Sequence, residues 1–109
     1  MNTETYSIKA LRTARINDLT NDQIMINALL GLSGEVGEVC DYMKKCYFQG
    51  HEYDVEHIKE EVGDVLWYIN LLIYVTGLTF NEVMQNNIDK LLKRYPEGFT
   101  EEDSVNREE

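Results

Sequence analysis

The sequence predicts an all-α domain of four helices, and three observations support this fold class. Apolar residues recur at three- and four-residue spacing through most of the chain, which is the pattern of amphipathic helices. Pro96 is the single proline, and few prolines favour long uninterrupted helices. Capping-box patterns at Thr20–Gln23 and Thr79–Glu82 each precede an apolar stretch. A chain of 109 residues has room for one hydrophobic core, so we expect one domain over residues 1–100.

The first two helices are expected in the N-terminal half. A weakly amphipathic pattern predicts the first helix between Thr3 and Asp18. The second helix begins after the capping box at Thr20, continues the apolar spacing and is expected to end near Gly50, because glycine commonly follows a helix C-terminus.

The second half of the chain predicts two more helices and a tail. The third helix is expected from about Asp54 to Gly77, and the fourth from Thr79 to Pro96. Residues 101–109 are mostly charged, so we expect them to form a frayed acidic tail.

Charge and composition exclude several classes of protein. Ten Lys and Arg against twenty Asp and Glu give a net charge of −10, which disfavours stable binding to nucleic acid. No apolar run approaches the roughly 18 residues of a membrane span, so no membrane association is expected. Cys40 and Cys46 lie six residues apart in one helical pattern and cannot frame a disulfide scaffold, which favours a cytoplasmic protein with reduced thiols.

Two pairs of carboxylates stand beside the apolar faces of the second and third helices. Glu35 and Glu38 form the first pair, and Glu61 and Asp64 form the second, both at i, i+3 spacing. If these helices pack antiparallel, the four carboxylates converge at one place along their interface. Such a cluster needs a divalent cation to offset its repulsion, and an all-oxygen ligand set favours Mg²⁺, with Mn²⁺ as a substitute. The alternative is that these acids form a solvated helix flank.

Three glycines interrupt the second helix. Gly31, Gly34 and Gly37 each cost about 1 kcal/mol relative to alanine in a helix interior. They indicate either a break between two shorter helices or a close approach to the helix backbone around a ligand.

Three segments together resemble a known family. They are GLSGEVGEV at 31–39, KEEVGDVLWY at 59–68 and NIDKLLKRYPEGF at 87–99. In this order they resemble the MazG-like nucleoside triphosphate pyrophosphohydrolases, whose pattern is E-x-x-E, a spacer, E-x-x-D and a closing N-x-x-K-L-x-x-R-Y-P. The resemblance covers roughly residues 20 to 100. Many members carry an acidic residue just before the first pair, where this chain has Gly34.

The resemblance implies a four-helix MazG-like bundle that hydrolyses a nucleoside or deoxynucleoside triphosphate to the monophosphate and pyrophosphate with Mg²⁺. The four carboxylates are then the metal ligands and catalytic groups, one of them acting as general base. Four further side chains are candidates for substrate binding, with a snorkelling rim or an ordinary surface lysine as the alternative reading: Lys45, Asn87, Lys90 and Arg94.

Neighbouring side chains allow two interpretations each. Trp67 and Tyr68 can stack on a nucleotide base or simply pack in the core. His57, one turn before Glu61, can orient that carboxylate or be a surface histidine.

Two other classes of protein compete with the enzyme. A di-iron bundle is disfavoured because it expects Glu-x-x-His on two helices, and the sequence contains none. A non-catalytic helical self-association or interaction module is the stronger alternative. In either case we expect a homo-oligomer, a dimer or a tetramer, because four short helices bury little core alone.

Overall fold

The computed structural model describes residues 1–107 as an all-α fold, which confirms the predicted class. Within this range there is no β-strand, only an isolated bridge between Pro96 and Gly98. The helices are α1 (Thr3–Ala10), α2 (Asn21–Phe48), α3 (Val55–Val75), α4 (Phe80–Arg94) and α5 (Glu101–Val105).

The second and third helices begin and end where the sequence predicts. Thr20 caps α2 with a complete capping box, in which its hydroxyl accepts a hydrogen bond from Gln23 N while Gln23 Oε1 accepts one from Thr20 N. Asp54 caps α3 by accepting a hydrogen bond from Glu56 N at 3.0 Å. Gly77 ends α3 with φ of +76°, a conformation that glycine adopts without strain. The helices α2 and α3 pack against each other as an antiparallel hairpin.

The prediction for the first helix is wrong beyond Ala10. A short 3-10 turn follows at Leu11–Thr13, and the chain is irregular up to Thr20. This segment crosses the hairpin, where Ile16 and Leu19 pack against the core residues Ile24, Ala28 and Leu71. The apolar residues of this segment are therefore half-buried against the hairpin without being helical, and a helix-period pattern cannot reveal that.

The C-terminal part of the chain turns away from the hairpin. The axis of α4 is bent by 99° from that of α3, and α4 packs mainly against α1. The expected frayed tail contains the short helix α5, capped by Thr100, whereas residues 108 and 109 of that tail lie outside the described residues.

The described chain is more open than a typical domain of its length. Its Cα radius of gyration is 17.3 Å, compared with about 13 Å expected for a globular domain of this size. Across residues 1–107 no single helix is long and apolar enough to span a membrane; α3 and α4 together meet the length and composition criteria only as a pair with the 99° bend.

Candidate metal centre

Three of the predicted carboxylates meet between α2 and α3. Glu35 on α2 and Glu61 and Asp64 on α3 each offer a carboxylate oxygen, and these three oxygens lie within 4.8 Å of one another. Glu35 and Glu61 are half-buried, whereas Asp64 is exposed. The antiparallel hairpin brings these residues together because each carboxylate stands beside the apolar face through which its helix packs.

A close contact between the helices lies one turn from Glu35. A Cβ atom at Gly31 would overlap the ring of Tyr68, so glycine allows this ring to lie against the backbone of α2. The interpretation of the glycines as a helix break is wrong, because α2 runs unbroken from Asn21 to Phe48. The other interpretation, a close approach to the helix backbone, explains Gly31. The group that approaches it is the side chain of Tyr68 and not a ligand.

The carboxylates impose an unfavourable negative charge on one another. Partial burial raises the pKa of Glu35, and the negative charges of Asp64 and Glu61 raise this pKa further. Burial also raises the pKa of Tyr6 on α1, with a second contribution from Asp64. Within residues 1–107, no ion pair joins Glu35, Glu61 or Asp64 to a lysine or arginine. A divalent cation is therefore a suitable counter-charge for this set of oxygens.

The fourth predicted carboxylate lies outside this group. Glu38 is exposed and is not one of the three residues whose oxygens converge. Its negative charge nevertheless makes the smallest of the contributions that raise the pKa of Glu35. The structure therefore brings together three members of the predicted cluster, with Glu38 next to them on α2.

A cavity of about 330 Å³ adjoins two of the three carboxylates, Glu35 and Asp64. Thr13, Glu35, Asp64, Trp67 and Tyr68 line it. The indole Nε1 of Trp67 donates hydrogen bonds to Ala10 O at 3.0 Å and to Thr13 Oγ1 at 3.1 Å. The rings of Trp67 and Tyr68 meet edge to face, with centroids 5.0 Å apart. Both aromatic side chains thus pack within the protein and also form a wall of the cavity.

The four predicted substrate-binding side chains do not line the cavity beside the carboxylates. Lys45 forms an ion pair with Asp41, with 3.0 Å between Nζ and Oδ2. Asn87 and Lys90 are exposed on α4, and Arg94 borders a separate cavity beside the C-terminal segment. None of these four lines the carboxylate cavity in the described part of the chain, so their role in substrate binding stays a prediction.

Sequence reasoning did not identify the contribution of the N-terminal segment to the site. Thr13 lines the cavity, and Tyr6 is close enough to Asp64 for its pKa to respond to that charge. Both residues lie well before Glu35 in the chain, ahead of the start of α2, and no motif surrounds them. Only the path of the segment across the hairpin brings them to the carboxylates.

Comparisons with known proteins agree with this architecture. The family model of the MazG nucleotide pyrophosphohydrolase domain matches residues 23–99, so the chain belongs to this family. The chain is also similar to the Gene 37 protein of Mycobacterium phage L5, with 27% identity over 114 residues that cover 98% of this chain and 100% of the phage protein. No solved structure matches the chain. The MazG family is associated with nucleotide pyrophosphohydrolase activity.

Proposed function

We propose that the protein hydrolyses a nucleoside or deoxynucleoside triphosphate to the monophosphate and pyrophosphate, with Mg²⁺ as cofactor and Mn²⁺ as a substitute. The observation that carries this proposal is the convergence of Glu35, Glu61 and Asp64 beside a cavity, within the segment matched by the MazG family model. A triphosphate repels such a site unless cations lie between the phosphates and the carboxylates. The ligand set therefore favours a metal-bound substrate.

The four carboxylates have two proposed roles. Glu35, Glu61 and Asp64 hold the cation, because their oxygens are within 4.8 Å of one another. When bound there, Mg²⁺ would neutralise phosphate charge and orient the attacking water. Glu38 lies outside the trio, and its carboxylate therefore stays free to bind cation or to accept the proton of the water as general base.

A panel of nucleoside triphosphates incubated with Mg²⁺ tests this function. Anion-exchange chromatography of the products is expected to show a monophosphate and pyrophosphate in equal amounts. A diphosphate with inorganic phosphate would place cleavage at the other phosphoric anhydride and contradict the proposal. The same panel identifies the preferred base and sugar.

We further expect α4 to supply positive charge to the substrate. Lys90→Ala and Arg94→Ala should each raise KM or lower kcat by about 10- to 100-fold, because a charge-assisted hydrogen bond to phosphate contributes roughly 1.5–3 kcal/mol. Neither change should unfold the domain, since Lys90 is exposed and Arg94 only half-buried. Steady-state kinetics measure the effect, and Lys93→Ala on the same helix is the matched control. Wild-type kinetics in both variants would remove α4 from the phosphate site.

We also propose that the protein is a homo-oligomer, a dimer or a tetramer. Its radius of gyration of 17.3 Å exceeds the roughly 13 Å of a globular domain of equal length. Large apolar side chains are exposed on both helices of the hairpin and on α4. They include Leu29, Val36, Val62, Leu66, Ile88, Leu91 and Leu92. A second copy would bury these side chains, and the open arrangement of α4 supports such an assembly.

Sedimentation velocity tests the assembly. The expected mass is at least twice the 12.7 kDa of one chain. Leu29→Lys, which places a charge on the exposed apolar side of α2, should shift the distribution towards the monomer. Ile8→Lys is the control, because Ile8 is also exposed but belongs to α1 and not to the hairpin or α4. A wild-type species of 12.7 kDa alone would contradict the assembly.

The second candidate function is a non-catalytic helical interaction module. The exposed apolar side chains of α2, α3 and α4 favour it, because they provide a docking surface without requiring any chemistry. Metal-dependent turnover separates the two functions: the interaction module predicts none with any nucleotide.

A further inference from the structure

A stacked pair of rings connects the two helices next to the candidate metal centre. The imidazole of His57 on α3 lies against the ring of Tyr42 on α2, with centroids 4.0 Å apart and planes tilted by 30°. His57 Nε2 is 3.6 Å from Glu61 Oε1, one helical turn further along α3. The Glu61 side chain is only 18% exposed, so most of it is shielded from solvent.

The orientation of Tyr42 is fixed by the loop between the helices. Its hydroxyl donates a hydrogen bond to Glu52 O at 3.0 Å and accepts one from Asp54 N at 2.7 Å. Asp54 is also the N-cap of α3. The ring against which His57 packs is therefore held by the end of the hairpin, independently of the three carboxylates.

We propose that Tyr42 and His57 position the Glu61 carboxylate for binding of a divalent cation, an inference that rests on the proposed metal site. Tyr42 sets the plane of the imidazole, and the Nε2 edge of His57 limits the rotation of Glu61. A carboxylate held in place loses less side-chain freedom when it binds a cation. Removing a side chain that contacts and orients a metal ligand typically weakens metal binding by about 10- to 100-fold. His57 is therefore a positioning residue, which acts through Glu61.

Two substitutions separate positioning from simple packing. His57→Phe keeps a ring against Tyr42 but removes the nitrogen that faces Glu61. His57→Gln removes the ring but places an amide nitrogen at a reach similar to that of Nε2. His51→Phe is the matched control, because His51 is exposed in the loop and borders a different cavity.

The measurement is Mn²⁺ binding followed by electron paramagnetic resonance, without nucleotide, together with the metal-free Tm. For His57→Phe we expect the Kd for Mn²⁺ to rise about tenfold or more while the Tm stays near that of the wild type. For His57→Gln, which restores a nitrogen but not the ring held by Tyr42, the Kd should lie between those of His57→Phe and the wild type, and His51→Phe should have no effect.

Several outcomes overturn the inference. Wild-type affinity in His57→Phe would show that the imidazole does not position Glu61. An equal loss in His57→Gln, with a lowered Tm, would show that the rings act only in packing. If His57→Phe does not fold, Tyr42→Phe replaces it: this variant keeps the ring but releases the loop, and wild-type Mn²⁺ affinity in it overturns the inference.

Failure of the proposed function gives a different result. If the wild type binds Mn²⁺ but hydrolyses no nucleotide, the function is wrong while the role of His57 is still decided by the variants. If the wild type binds no Mn²⁺, the metal site and the positioning role are both wrong.

Discussion

Replacing Glu61 with glutamine, or Asp64 with asparagine, is expected to reduce nucleotide hydrolysis by at least about 100-fold without destabilising the metal-free protein. The two effects have opposite signs because the carboxylates repel one another when no cation is bound. The pKa of Glu35 reflects this repulsion. Partial burial raises it most, and the negative charges of Asp64 and Glu61 raise it further. Removing one negative charge relieves the repulsion, so the metal-free Tm should be unchanged or higher.

The same variants should lose most of their thermal response to Mg²⁺. A cation present at 100 times its Kd stabilises the native state by about 2.7 kcal/mol, which corresponds to a rise in Tm of roughly 10 °C or more. A variant with fewer ligand oxygens binds the cation more weakly and gains less. Thermal melts with and without Mg²⁺, combined with steady-state kinetics, measure both effects.

Glu60→Gln is the matched control for these variants. Glu60 is an exposed neighbour of Glu61 on α3 and is not among the three converging carboxylates. It should keep wild-type activity and the wild-type response to Mg²⁺. If the wild type gains no stability from Mg²⁺ and all three variants melt alike, Glu61 and Asp64 belong to a solvated helix flank.

Removal of divalent cations should abolish hydrolysis. Excess EDTA is expected to lower turnover by at least about 100-fold, because the carboxylates alone repel the triphosphate and a bound cation contributes several kcal/mol of charge stabilisation. Adding Mg²⁺ or Mn²⁺ in excess of the chelator should restore turnover. Pyrophosphate release in a coupled assay follows both steps.

The chelator itself needs a control. EDTA already saturated with Mg²⁺ should leave the rate unchanged, which separates loss of the cation from any direct effect of the chelator. Undiminished turnover in metal-free EDTA would contradict a metal-dependent mechanism and would leave Glu35, Glu61 and Asp64 without their proposed role.

Helix boundaries were predictable wherever local chemistry determines them. Thr20, Asp54 and Thr79 begin helices because their side chains accept hydrogen bonds from free backbone amides. Gly77 ends α3 because it adopts positive φ. The end of α1 was mispredicted, since the segment after Ala10 is arranged by its contacts with α2 and α3, including the Trp67 hydrogen bond to the Ala10 carbonyl.

The candidate site was predictable in part for the same reason. The i, i+3 spacing places Glu35 and Glu38, and likewise Glu61 and Asp64, near the packing face of each helix. How far each carboxylate reaches towards the opposite helix depends on how the helices pack, and the packing groups Glu35 with Glu61 and Asp64 but not Glu38. No sequence pattern predicts that Thr13 lines the cavity or that the ring of Tyr42 packs against His57. Both contacts join different structural elements, so they depend on how those elements pack.

The sequence by itself determined the all-α class, the extents of α2 and α3, and four ligand candidates on those two helices, of which the structure brings three together. These properties follow from helical periodicity, capping and the motif pattern, all of which act over a few residues. The tertiary structure decided how the carboxylates group, what walls the adjoining cavity and where α4 points. Gly31 illustrates the physical reason: its lack of a side chain can be read from the sequence, but only packing brings Tyr68 against it and sets the approach of the two helices.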